Sequence, residues 1–271
     1  MLEDNAGLKS KLDEYNLGTK EYFTFQIETG DTLNGWMIKP ANFDPAKKYP
    51  VLMYVYGGPG SQTVTNEFTV GWFFWHQMMA AKGYIIVSVD NRGTGARGAA
   101  FKQATYRDLG KYETEDQISG AKYLATLPYV DAKRIGIHGW SFGGYMSSLC
   151  ITKGADYFKT AIAVAPVTTW RYYDSIYTER FLDTPQKNAK GYDDNSPINF
   201  VSKLKGNYLL VHGTADDNVH FQNSVDMVDA LVKANKQFEQ FFYPNKNHGI
   251  YGGNTRLHLY TKLTNYILEK L

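Results

Sequence analysis

The feature that most constrains the fold is the alternation of short apolar segments with longer segments of helical character. The short segments are rich in β-branched and aromatic residues, and several lack polar positions, as expected for strands covered on both faces. Strands are predicted at residues 51–56, 84–90, 134–138, 160–165, 208–212 and 238–243. Helices are predicted at residues 72–82, 113–127, 143–152, 222–235 and 255–271. This order predicts an α/β fold with a mostly parallel central sheet flanked by helices.

Two segments depart from this alternation. Residues 22–28 and 35–39 resemble an antiparallel hairpin that turns around Gly30. Residues 168–201 contain no clean strand but carry Trp170, Tyr172, Tyr173, Tyr177 and Phe181. Such a long connection predicts a helical, aromatic-rich excursion over the strand ends. The excursion could be a surface subdomain with its own small core or a wall of an active site, and the sequence favours neither.

Composition excludes several classes of protein. The net charge of the 271 residues is only +2, with Lys and Arg scattered along the chain, so neither nucleic acid nor an anionic membrane surface is an expected partner. The single cysteine, Cys150, cannot form an intrachain disulfide, and its apolar helical setting predicts a buried structural thiol. No apolar run approaches the ~18 residues of a membrane-spanning helix.

A glycine-rich segment at residues 93–98 matches the G-x-G-x-x-G pattern of dinucleotide-binding proteins. In those proteins the helix begins within the glycine-rich segment, so that its N-terminus contacts the pyrophosphate. Here a polar stretch at residues 102–111 precedes the predicted helix. We therefore interpret the segment as a glycine-rich turn, and we expect neither a cofactor nor a metal ion.

The motif that carries chemistry is G-x-S-x-G, formed by Gly139, Trp140, Ser141, Phe142 and Gly143. It lies directly between a predicted strand and a predicted helix. A sharp strand-to-helix turn of this kind exposes the serine hydroxyl next to the free N–H groups of a helix N-terminus, which can receive an oxyanion. The alternative is an ordinary serine cap in a glycine turn. The context predicts a nucleophile elbow of the α/β-hydrolase fold, with Ser141 as nucleophile.

A serine nucleophile needs a base, and the base needs a carboxylate to orient it. In this fold the chain order is Ser, then Asp or Glu, then His. Of the six histidines, only His248 follows the serine in a polar loop between the last strand and the last helix. The acid should come from the loop after the strand at residues 208–212, where either Asp216 or Asp217 would serve.

At these residues the chain resembles the catalytic domain of serine peptidases of the prolyl oligopeptidase family. The resemblance covers nearly the whole chain and is carried by residues 2–5, 55–62, 139–145, 163–167, 172–180 and 212–222. With one cysteine and no Asn-x-Ser/Thr sequon, the chain is more similar to bacterial members than to animal ones.

The resemblance implies roles for particular residues. Asp216 would be the triad acid, and the Tyr56 hydroxyl would join the Phe142 N–H in the oxyanion hole. Asn218 would hold the carbonyl of the substrate's N-terminal residue. A pocket for the penultimate proline would be formed by Phe142, Val167, Trp170, Tyr173, Tyr177 and Val219. A flat pyrrolidine without an N–H suits such a rigid aromatic box.

The function implied is removal of Xaa-Pro or Xaa-Ala dipeptides from peptide N-termini by Ser-His-Asp acyl-enzyme catalysis. Alternatives are a tripeptidyl or endo-acting prolyl peptidase, an esterase of the same fold, or a non-catalytic binding domain. Fold-related lipases carry an HGGG-type oxyanion loop, which this sequence lacks.

The resemblance also implies an N-terminal β-propeller, whose paired glutamates bind the substrate's amine. No segment of this sequence corresponds to a propeller. Residues 1–34 would be a helix and strand leading in from it, and residues 35–271 the catalytic domain. The parent chain is expected to be a homodimer in an extracytoplasmic location.

Overall fold

The computed structural model describes residues 3–67 and 71–271. Within them, eight strands form one sheet in the order β1-β2-β4-β3-β5-β6-β7-β8. The strands are β1 Lys20–Gln26, β2 Thr32–Ile38, β3 Tyr49–Tyr54, β4 Ile85–Asp90, β5 Val130–Trp140, β6 Thr160–Val164, β7 Asn207–Gly213 and β8 Glu239–Tyr243. Strands β3 to β8 pair in parallel, while β1 with β2 and β2 with β4 are antiparallel. The predicted α/β fold with a mostly parallel sheet is confirmed.

Helices cover both faces of the sheet. They are α1 Ala6–Leu12, α2 Phe73–Ala81, α3 Ala99–Gln103, α4 Lys111–Thr126, α5 Phe142–Lys153, α6 Ser175–Leu182, α7 Ala189–Asp193, α8 Gln222–Lys233 and α9 Thr255–Lys270. Val51 and Met53 of β3 face the core under α4, α5 and α8, whereas Leu52 between them faces the core under α2 and α9. Successive residues of this central strand thus enter two different cores, which is why it has almost no polar positions.

The expected boundary between residues 34 and 35 falls inside β2. Strand β2 pairs with β1 on one side and with β4 on the other, so the N-terminal hairpin is part of the central sheet. Met1 and Leu2 of the expected lead-in segment lie outside the described residues. No helix in the described part of the chain is long and apolar enough to cross a membrane.

The glycine-rich segment differs from expectation in one detail. A five-residue helix, α3, begins directly after Gly98, at residues expected to lead into a polar stretch. The glycines bond to the loop that follows β3: the Gly60 N–H donates to the Gly93 carbonyl at 2.8 Å, and the Gly95 N–H donates to the Ser61 carbonyl at 2.9 Å. The segment therefore serves as a turn that supports its neighbouring loop.

The excursion at residues 168–201 consists of α6, α7 and two 3₁₀ segments, Trp170–Tyr172 and Pro197–Lys203. Tyr173, Tyr177 and Phe181 pack against the main core. The excursion thus shares the main core. Its position allows it to form one wall of a site at the carboxyl ends of the strands.

A buried pair of histidines joins α2 to the sheet. The Nε2 atoms of His76 and His138 lie 3.4 Å apart, inside an aromatic cluster that includes Trp72, Trp75 and Tyr54. Burial lowers the pKa of His76 to about 3, with a smaller contribution from Lys20, and lowers the pKa of His138 well below its usual value. Both rings are therefore neutral at neutral pH, with one nitrogen of the pair as donor and the other as acceptor.

This pair predicts that the protein loses stability in mild acid. The unfolded chain binds protons below about pH 6.5, the ordinary histidine pKa, whereas the folded chain does not bind them until the pH is far lower. Over that interval each histidine lowers the free energy of unfolding by up to about 1.4 kcal/mol per pH unit as the pH falls. Urea unfolding at pH 7 and at pH 5 should show a smaller loss for the double variant His76→Leu, His138→Leu than for the wild type. Equal losses would contradict the assignment.

Candidate active site

The turn at Ser141 has the geometry of a nucleophile elbow. Strand β5 ends at Trp140 and α5 begins at Phe142, and Ser141 between them has φ 60° and ψ −118°. This unfavourable backbone conformation is supported by the Ser141 N–H, which donates to the Val164 carbonyl at 2.9 Å. A Cβ at Gly139 or Gly143 would overlap the Val55 carbonyl oxygen. Both glycines of the motif are therefore required by the close approach of β5 and α5 to the end of β3.

His248 and Asp216 meet next to this turn. Asp216 lies in the loop after β7, and His248 lies in the loop between β8 and α9. His248 Nδ1 is 2.7 Å from Asp216 Oδ2. The indole Nε1–H of Trp140 donates to the His248 carbonyl at 2.9 Å, which holds the His248 loop against the elbow. Of the two acids that spacing left open, Asp216 is the one in contact with His248. Within residues 3–67 and 71–271, the exposed Asp217 side chain accepts no hydrogen bond.

Asp216 is buried but heavily hydrogen-bonded. Its Oδ1 accepts the backbone N–H groups of Asn218 and Val219 at 3.0 and 2.9 Å. Burial alone would raise the pKa of the Asp216 carboxyl, but hydrogen bonds from His212 and His248, together with these backbone donors, hold that pKa well below its usual range. Asp216 is thus an anion that can orient an imidazole and stabilise its protonated form.

The reactive atoms of the other two residues are available. In the described part of the chain, neither Ser141 Oγ nor His248 Nε2 has a hydrogen-bond partner, and both side chains are partly exposed. Because Nδ1 of His248 points to the carboxylate, Nε2 is the nitrogen left to accept a proton. The arrangement suits an imidazole that acts as a general base toward the elbow.

Two donors flank the elbow. Phe142 is the first residue of α5, so its backbone N–H has no partner within the helix. Tyr56 follows β3, and its ring centroid lies 6.0 Å from that of Phe142. Burial raises the pKa of the Tyr56 hydroxyl, so it remains a proton donor at neutral pH. Tyr56 and Phe142 thus bring two hydrogen-bond donors, a phenol hydroxyl and a backbone N–H, close to the elbow.

The residues expected to bind proline form one cluster. Trp170 is only 1% exposed and lies 5.6 Å from Phe142, 5.8 Å from Tyr173 and 5.9 Å from Tyr177, measured between ring centroids. Tyr173 and Tyr177 are partly exposed at 5.3 Å from each other. Val167 and Val219 are buried in the same core. The cluster presents an apolar, aromatic surface beside Ser141 with the tyrosines toward solvent.

Asn218 is held at the edge of this cluster. The Tyr173 hydroxyl donates to Asn218 Oδ1 at 2.8 Å. The amide oxygen is therefore engaged, and the Nδ2 group remains to donate to an acceptor from solvent or substrate. Asn218 thus presents a donor next to the cluster.

Sequence reasoning missed two residues of this region. Tyr145 packs 5.1 Å from Trp170 and 5.2 Å from Phe142, and its hydroxyl donates to the Leu109 carbonyl at 2.9 Å. Its position three residues after Phe142, on the same face of a helix, was a signal. His212, which precedes Asp216 in the chain, also contacts the Asp216 carboxylate. No local pattern predicted that contact.

The remaining candidates for chemistry lie elsewhere. Cys150 is fully buried in α5, and burial raises the pKa of its thiol far above the usual range, so it is a structural residue, as expected. Within the residues that the structure describes, no cluster of His, Cys, Asp or Glu could hold a metal ion.

Comparison with known proteins agrees with this geometry. The model of the prolyl oligopeptidase family of S9 peptidases matches residues 72–271. The crystal structure of Porphyromonas gingivalis dipeptidyl peptidase 4 superimposes with a TM-score of 0.96 at 48% identity, covering 100% of this chain and 38% of that one. Prolyl endopeptidase FAP from Bos taurus is 44% identical, and a probable dipeptidyl-aminopeptidase B from Paracoccidioides lutzii is 46% identical, each over 99% of this chain but only 35% and 29% of their own lengths.

The fold and the serine elbow define an α/β-hydrolase. The chain belongs to the prolyl oligopeptidase family. It spans about a third of the length of the relatives that it matches.

The contacts of Asp216 lead to a prediction that compares two variants, Asp216→Asn and Asp217→Asn. Asp216→Asn keeps the shape of the side chain but can donate to His248 Nδ1, which stabilises the wrong tautomer. Turnover should fall by about 10⁴, as in other Ser-His-Asp enzymes. Asp217→Asn, one residue away and exposed, should cost far less. Kinetics of both variants, with circular dichroism to verify folding, make the comparison. The reverse order of effects would assign the acid to Asp217.

Proposed function

We propose that this chain is the catalytic domain of a serine peptidase that removes Xaa-Pro or Xaa-Ala dipeptides from peptide N-termini. The observation that carries the proposal is the Asp216–His248 pair beside the Ser141 elbow, next to an aromatic cluster suited to proline. The names of the relatives support the same class of reaction: two are dipeptidyl peptidases, and one is a prolyl endopeptidase.

In the proposed reaction, His248 Nε2 removes the proton of Ser141 Oγ as that oxygen attacks the carbonyl carbon after proline. Asp216 holds the ring and stabilises the imidazolium that forms. The Tyr56 hydroxyl and the Phe142 N–H donate to the tetrahedral oxyanion. His248 then gives its proton to the departing amine, and a water molecule activated by the same imidazole hydrolyses the acyl-enzyme.

Substrate selection would come from the cluster around Trp170. The pyrrolidine ring of proline is flat and apolar and lacks an N–H, so a box of aromatic rings accepts it without leaving a buried donor unpaired. The side chains of Phe142, Val167, Tyr173, Tyr177 and Val219 complete the box. Asn218 would donate its Nδ2 group to the carbonyl of the substrate's N-terminal residue, because its Oδ1 already accepts from Tyr173.

Recognition of the substrate amine is assigned to the rest of a longer protein. The relatives are about three times the length of this chain, which supports an additional domain. We propose a β-propeller with paired glutamates that bind the free amine. We also propose that the parent is a homodimer in an extracytoplasmic compartment, as the family resemblance implies.

A substrate comparison tests the reaction class. The chain should be labelled by a fluorophosphonate, and the Ser141→Ala variant should not. It should hydrolyse a fluorogenic Gly-Pro amide in preference to the nitrophenyl ester of a long-chain fatty acid, because the aromatic box fits a pyrrolidine ring. Preference for the ester would identify an esterase of the same fold. Absence of labelling in the folded wild type would favour a non-catalytic binding domain.

The Tyr56 hydroxyl makes a separate prediction. A donor aimed at the oxyanion acts only when negative charge develops, so its loss should fall on kcat rather than on KM. For Tyr56→Phe we expect kcat to drop by about 10²- to 10³-fold, the usual effect of losing one oxyanion donor. Steady-state kinetics and thermal melting distinguish an oxyanion donor from a packing residue. If turnover is unchanged and only the melting temperature moves, Tyr56 is a packing residue.

A further inference from the structure

His212 touches the carboxylate of Asp216 and has no part in the proposed reaction as described above. It lies near the end of β7, and its side chain is fully buried. Its Nε2 atom is 3.1 Å from Asp216 Oδ2 and 2.9 Å from the Val219 carbonyl oxygen, and its Nδ1 atom is 2.6 Å from Ser224 Oγ. Every nitrogen of this ring is therefore paired.

These partners determine where the ring proton lies. The Val219 carbonyl and the Asp216 carboxylate can only accept, so Nε2 must carry the hydrogen. The Ser224 hydroxyl, on α8, can donate its own hydrogen to Nδ1. A neutral imidazole with its proton on Nε2 thus satisfies all three partners without placing a second charge in a fully buried site.

The result is a carboxylate held by four donors. Oδ2 receives one N–H from His248 and one from His212, while Oδ1 receives two backbone N–H groups from its own loop. Hydrogen bonds to an ionised acceptor are about twice as strong as neutral ones. Removing His212 would leave Oδ2 with His248 as its single side-chain partner, so one of the two contacts that fix the direction of Oδ2 would be lost.

We propose that His212 is a positioning residue for the active site, whose Nε2–H holds Asp216 Oδ2 in the direction of His248. This proposal rests on the proposed function, because it assumes that the Asp216–His248 pair serves Ser141. Ser224 supports it in turn, since its hydroxyl lies 2.6 Å from His212 Nδ1 and helps to hold the ring in place.

A second donor on Oδ2 also has an electrostatic effect. It shares the negative charge of the carboxylate, which therefore attracts a proton on His248 less than an unshared carboxylate would. The other titratable groups near Asp216 are the phenol of Tyr173, the solvent-exposed Asp217 and His220 in its own loop, and Lys246 in the His248 loop.

Labelling of Ser141 by a fluorophosphonate tests the proposal without needing a bound peptide. The second-order labelling rate is measured across the pH range in which histidine titrates. For His212→Leu we expect the plateau rate to fall by about 10- to 100-fold, as for loss of a hydrogen bond to a charged group. The acidic limb of the profile should also move to higher pH. His212→Gln, which can place an amide N–H close to the former Nε2, should recover most of the rate.

Two further variants sharpen the comparison. Ser224→Ala should move the acidic limb in the same direction by a smaller amount, because it removes a contact that holds the His212 ring in place without removing the ring. His76→Leu is the matched control: it deletes another buried histidine and its hydrogen bond but lies on α2, away from Asp216. It should lower the melting temperature and leave both plateau rate and acidic limb unchanged.

A purely structural His212 would give a different result. If His212→Leu folds and labels with the wild-type rate and pH profile, the proposal is overturned. If that variant does not fold, an unchanged profile in Ser224→Ala overturns it equally.

A second readout is independent of the reaction. The Nδ1 proton of His248, observed by proton NMR, should shift in His212→Leu and not in His76→Leu, and an unshifted signal would count against the proposal. Should the wild type fail to label, the proposed function fails, while this resonance still tests the contact between His212 and Asp216.

Discussion

The structure depends on one close approach of backbone to backbone, where the end of β5 and the start of α5 pass against the end of β3. Gly139 and Gly143 allow the contact because neither carries a Cβ that would meet the Val55 carbonyl. The same approach forces Ser141 into its unfavourable conformation and begins a helix directly behind it. It also sets Phe142 beside Tyr56, so the serine, two donors and one ring of the aromatic cluster are all placed by a single steric fit.

A second constraint is the need to satisfy a buried anion. Without hydrogen-bond partners, a carboxylate buried in this position would take up a proton instead of remaining charged. Here the loop after β7 turns so that its own N–H groups bind one oxygen of Asp216, and imidazoles from β7 and from the loop after β8 bind the other. The adjacent parallel strands β7 and β8 bring these groups together at their carboxyl ends. The polar site is therefore built by loops and by His212 at the end of β7, above the apolar segment Tyr208–Val211 of that strand.

Much of the fold was predictable because its signals are local. Each predicted core strand and helix exists, with ends that differ by a few residues, since apolar runs and glycine turns mark them directly. The elbow and the expected loops for Asp216 and His248 follow from motif and chain order. The choice between Asp216 and Asp217 did not follow from spacing, because adjacent residues differ only in which one the turn directs inward. The contact of Tyr173 with Asn218 joins residues 45 positions apart, so no sequence period predicts it. The contact of His212 with Asp216 spans only four residues, but it depends on how the turn after β7 folds back on the strand, which no sequence period records.

The bond from the Trp140 indole to the His248 carbonyl joins residues 108 positions apart, yet it uses none of the atoms that would react. In the proposed chemistry, the serine oxygen becomes an ester midway through the cycle and ceases to be a hydroxyl partner for the imidazole. A ring held only by that hydroxyl would be free to drift during the second half of the cycle, when it must activate water. The indole instead ties the histidine loop to the elbow at a point that acylation does not alter. In the proposed reaction, acylation and deacylation would therefore use the same distance between His248 and Ser141, whichever bond the serine has formed.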